Sequence, residues 1–186
     1  MAQRRSATID IDGHRFKLGQ PERPSLPVWR EELSALAEGL HWVAVTLWVG
    51  GIWIVGYLVA PVLFYTAGDR ALAGSLAGHM FSVLAWLGYG CAAYLLIFRL
   101  AVFRAGAFTQ GFFWLTLLML LLVVAGHLGV QPVLAGLKEQ ATARDVLQSV
   151  VRNRFAVWHG VASVLHLILS ALGLWLVLLQ PKALRW

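Results

Sequence analysis

The chain has 186 residues; 59% are hydrophobic, only 13% are charged, and the formal net charge is +6. An ordinary soluble domain is nearer half apolar and a quarter charged, so disorder, a collagen-like fibre and a typical soluble enzyme are excluded. One cysteine rules out an intrachain disulfide framework and any Cys-rich zinc or iron–sulfur site. Short basic clusters beside apolar runs suit anionic lipid head groups, not nucleic acid.

From the N-terminus, ATIDIDGHRFKLG alternates apolar and polar residues around Asp12-Gly13 and predicts a β-hairpin. A lone hairpin is marginal in water and needs a partner surface. PERPSLP reads as a stiff linker. Trp29, Leu33, Leu36 and Leu40 then recur at helical spacing between charged residues, the pattern of an amphipathic juxtamembrane helix. No cleavable signal is expected, because the first apolar run starts near residue 40 and is far longer than a signal core.

Four segments reach the roughly 20 apolar residues that a bilayer span requires. They run from about Leu40 to Phe64, Met80 to Val102, Gly111 to Leu134 and Trp158 to Leu179. No internal repeat of 20–50 residues is evident. The expected fold is all-α: a four-helix antiparallel transmembrane bundle (residues 40–180) behind a polar segment (1–39) and a short tail (181–186). One side carries Arg23, Arg30, Arg99, Arg104, Lys182 and Arg185 near span ends; the other carries Arg70, Lys138, Arg144, Arg152 and Arg154. That narrow excess places both termini in the cytoplasm.

Ionisable groups in or beside a span are costly and are functional candidates. His79 at the start of span two, His127 near the end of span three, and His159 and His166 in span four belong to one half of an antiparallel bundle. His41 lies at the opposite face and reads as interfacial. Faces agree with depths. His159, Ser163, His166, Ser170 and Gly173 form one small and polar stripe, a pattern that lets membrane helices approach closely. Thr116, His127 and Gln131 share a face of span three, Thr46, Gly50, Trp53 and Tyr57 a face of span one, and His79, Ser82, Trp86 and Tyr89 a face of span two.

Neutral imidazole ligates copper, zinc and haem iron. His127 opposite His159 or His166 could hold a haem, and His79, Met80, His127 and His159 offer mixed ligands for copper. The plain alternatives are head-group anchoring for His79 and His159 and a structural hydrogen bond for His127 and His166. Arg152 and Arg154 suit lipid phosphates or solvent, and Cys91 reads as packing. No intramembrane Asp or Glu pairs with these histidines, which counts against a proton pump. No nucleophile–base pair, phosphate loop or carboxylate pair suggests an enzyme.

The run Arg152-Asn153-Arg154-Phe155-Ala156-Val157-Trp158-His159-Gly160 with Ser163 resembles the signature of the TMEM205-like (DUF4149) membrane family. The opening of span one, from His41 through LWVGGIWIVGYLVAPVLF, and the Gln131-Pro132 end of span three are also similar to bacterial members. The resemblance covers roughly residues 40–180; Arg152, Phe155, His159, Gly160 and Ser163 match by position, whereas His166 replaces an Asn of relatives. It implies a four-helix inner-membrane protein without established enzymatic activity. A looser likeness to copper-resistance D-type proteins and to the haem-dependent protoporphyrinogen oxidase implies metal or haem without choosing between them. The other expectation is a scaffold or assembly factor, docking a membrane protein partner or a second copy through residues 1–39.

Overall fold

The computed structural model describes residues 8–11, 14–17, 28–143 and 148–183, with side chains described for Glu32, 35–140 and 153–180. The chain divides into two compact units, residues 1–38 and 39–186. In the first, β1 (Thr8–Ile11) pairs antiparallel with β2 (His14–Lys17), Ile11 facing His14 and Thr8 facing Lys17. The expected hairpin is therefore present, and its Asp12-Gly13 step lies outside the described residues.

The second unit is helical. Its elements are α1 (Val28–Ile54, begun in the first unit), α2 (Ala60–Thr66), α3 (Arg70–Phe103), α4 (Gly111–Val124), α5 (Gln131–Ala143) and α6 (Gln148–Ala183). Four stretches are long and apolar enough to cross a bilayer: Ala35–Thr66, Arg70–Thr109, Gly111–Gln140 and Asn153–Gln180. This is an integral membrane protein with a four-helix transmembrane domain.

Each span overruns the apolar window that foretold it, because backbone hydrogen bonding carries a helix past the last apolar residue. Three expectations change as a result. The expected amphipathic helix is the opening of α1 and runs unbroken into span one. Span two starts at Arg70, so His79 sits in its third turn. Lys138, beyond the expected end of span three at Leu134, lies in α5 and donates to the Gly74 carbonyl at 2.8 Å.

Spans one and three share an interruption. A π-helical turn, Val55–Val59, joins α1 to α2, and another, Ala125–Val130, joins α4 to α5. Each precedes a proline, Pro61 or Pro132. Proline has no N–H for the carbonyl four residues back, and the local ladder widens to i→i−5 bonds: Ala60 N–H to Val55 and Gln131 N–H to Gly126. Such turns cluster at functional positions. Both carry a Gly–ring–Leu step, Gly56-Tyr57-Leu58 and Gly126-His127-Leu128, a short similarity between spans one and three.

The packed core is built by Val45, Trp48, Val49 and Ile52 from α1, Leu84, Ala92 and Leu95 from α3, Phe112 and Met119 from α4, and Leu169 and Leu176 from α6. Close helix contact depends on missing side chains, as expected where packing replaces hydrophobic driving force. A Cβ at Gly88 would stand 2.8 Å from the Trp48 indole nitrogen, and Gly173 lies against Val49 and Met119.

Candidate functional site

Two ends of the bundle behave differently. At the distal end, where Thr66–Arg70 joins spans one and two, the four helices leave a cavity of about 1230 Å³. That exceeds the usual range for small-molecule pockets, roughly 300–1,000 Å³. His79, His127, His159 and His166 all line it, as do Gln131 and Ser163. The expectation that these imidazoles share one half of the membrane leads, in the fold, to one shared cavity.

Their local settings differ. His166 is held in a notch at Gly56, where any β-carbon would collide with its ring, and it makes edge contacts with Tyr57 and Phe81 at 5.5 Å. Its Nε2 is buried without a hydrogen-bond partner. His127 Nδ1 shares a 3.0 Å hydrogen bond with the Tyr89 hydroxyl, and Trp86 lies edge-on to its ring. His79 Nδ1–H donates to the Ser75 carbonyl at 3.0 Å, which leaves its Nε2 lone pair for another partner. His159 is exposed and stacks on Phe155, one turn away in α6.

The four polar stripes meet in pairs. Tyr57 of span one donates to Ser170 Oγ of span four at 3.0 Å, and the Trp53 indole N–H reaches the Ser170 carbonyl at 3.4 Å. Span two meets span three through Tyr89 and His127. Other stripe members turn back on their own helix. Ser163 donates to the His159 carbonyl and Thr116 to the Phe112 carbonyl, so Ser163 does not orient the His159 ring.

Not every candidate joins the site. Met80 is exposed and is absent from the cavity wall, one residue too far round the helix from His79. Among the described residues, no three His, Cys, Asp or Glu side chains gather to hold a metal ion. The mixed His–Met copper set is therefore not assembled. A single axial imidazole is a lighter demand, but the buried Nε2 of His166 is turned into the Gly56 notch and would have to swing out to meet it. Arg152 lies in α6 with its side chain outside those described, while Arg154 is exposed.

The proximal end holds what sequence reasoning missed. His41, expected to face the head groups, is turned into the protein instead. It is fully buried, both ring nitrogens lack hydrogen-bond partners, and it packs between Phe98 and Phe112 at 5.5 and 5.3 Å. Arg99, read only as a charge near the end of span two, is fully buried within α3. Its guanidinium lies 4.3 Å from the Phe112 ring centroid and donates to Gln110 Oε1 at 3.1 Å. Cation–π contact of this kind stabilises a desolvated guanidinium by about 2 kcal/mol. The signal was available: Phe98, Arg99, Phe103 and Phe112 surround the short turn between spans two and three.

The family model described as a domain of unknown function, DUF4149, matches residues 43–143. This match covers spans one to three, including both π turns, and stops short of the Arg152–Ser163 run on which the sequence resemblance chiefly rested. No curated protein and no solved structure matches the chain.

Proposed function

This chain belongs to the DUF4149 family, and from that premise and its cavity we propose that it is a membrane-embedded binding protein whose distal pocket takes haem. The observation that carries the reading is the cavity of about 1230 Å³ lined by four histidines from spans two, three and four. His127, or His166 once swung from the Gly56 notch, would provide an axial imidazole, and bound haem would supply a redox or gas-ligand centre. The π turns favour the same location, since Gly- and Pro-interrupted segments at corresponding places in a membrane bundle point to its binding site. Haem is favoured over copper because one imidazole suffices for it, whereas a copper ion would need several donors together.

For His127 to ligate through Nε2, its Nδ1 must carry the proton and donate to the Tyr89 oxygen. This bond would fix the tautomer and the ring plane. A narrow basic excess at the proximal side supports an orientation with both termini in the cytoplasm and the cavity on the opposite side of a bacterial inner membrane.

Purification in mild detergent, followed by an absorption spectrum, metal analysis and haem titration, tests the reading. A Soret band that appears with haem and is lost in the double variant His127→Ala/His166→Ala supports it. A preparation that stays colourless with added haem overturns it.

A further inference from the structure

The cavity is graded along its depth. By position along their helices, Arg70, Lys138, Glu139 and His159 lie at its distal end, Tyr57, His127 and His166 lie deeper, and the core residues Trp48, Ile52 and Leu169, almost wholly buried, close its inner end. From Arg70 to Leu84, which also lines the floor, is fourteen residues of α3, about 21 Å of helix. An acyl chain spans one leaflet, about 15 Å or half the hydrocarbon core, so it fits this depth and leaves room for a head group.

We infer that the cavity is a binding site for a single-chain anionic amphiphile, a long-chain carboxylate, seated tail-first with its carboxylate at Arg70 and its chain end near Trp48. Charge sets the polarity of entry. Two cationic side chains and two histidines, His79 and His159, surround one carboxylate around the mouth, so a negative head is favoured there. Shape sets the chain. The floor offers aromatic and branched apolar side chains without a charged group, so only hydrocarbon enters without a desolvation cost. This inference goes beyond the haem reading and names a second ligand class for the same cavity, so haem at His127 or His166 and an acyl chain passing them would compete.

The test uses the full-length protein in mild detergent and palmitate brominated at its chain end, which quenches tryptophan on contact. Quenching is expected, together with its loss of amplitude in Trp48→Phe. Affinity should fall about fivefold for the methyl ester and by a similar factor in Arg70→Gln, the size of one partly exposed charge pair. Arg70 is exposed, so Arg70→Gln should fold normally and keeps the test decisive if Trp48→Phe does not. Equal affinity for acid and ester, or no quenching, overturns the inference. A Soret band without quenching would sink this inference alone, and quenching without a Soret band would sink the haem reading alone.

Discussion

The distal and proximal ends of this bundle use histidine in opposite ways. At the distal end four imidazoles line a cavity and are half-buried or exposed, two of them hydrogen-bonded, His79 to Ser75 and His127 to Tyr89. At the proximal end one imidazole, His41, is sealed between two phenylalanines beside a buried arginine. The distal groups remain available to a ligand, while the proximal pair is absorbed into packing. A polar residue in a membrane span therefore marks a site only when space is left around it.

Changes at the proximal end should cost stability and spare ligand binding, and changes at the distal end should do the reverse. The largest effect is expected for Phe112→Ala, which empties a buried ring site and strips the aromatic face from Arg99 and His41. It should lower unfolding free energy by about 3–5 kcal/mol, read by chemical denaturation in detergent, with haem affinity intact under folding conditions. Haem affinity lost at temperatures where the variant is still folded would erase the contrast.

Gly56→Ala is next, and it sits where the two regimes meet. The added carbon collides with the His166 ring, so strain of about 1–3 kcal/mol is expected. The ring must swing from its notch, and any spectrum that depends on His166 should change with it. A variant of unchanged stability and spectrum would show that the notch does not hold the ring.

His41→Leu reverses the usual sign. Removing a buried imidazole without hydrogen-bond partners relieves a desolvation cost, so stability should stay level or rise by about 1 kcal/mol. A clear loss would mean that His41 has a partner in the membrane. The smallest stability effect is expected for His159→Ala, within about 0.5 kcal/mol as for other exposed positions, while affinity for the cavity ligand falls. A stability loss without an affinity change would move His159 from the site to the scaffold.

Much of this was legible in the residues. Four spans followed from hydropathy, and the depth of His79, His127, His159 and His166 followed from counting along antiparallel helices. The stripes also survived in part: Tyr57 and Trp53 reach Ser170, and Tyr89 reaches His127. Helix ends were misplaced because hydropathy reports where side chains prefer lipid, not where the backbone stops. That error left Lys138 beyond the end of span three. His41 and Arg99 were misread because burial at a span end depends on what the neighbouring helix carries, here Phe98 and Phe112.

Composition and periodicity by themselves determined a four-helix membrane bundle and the level at which its histidines lie, since both follow from local chemistry measured against bilayer thickness. Only the tertiary structure decided which imidazoles border open space and which are walled in. The reason is physical: a residue's depth is a property of its own helix, whereas its exposure is set by side chains brought from three others. Two π turns, a glycine notch and a pair of phenylalanines made that choice.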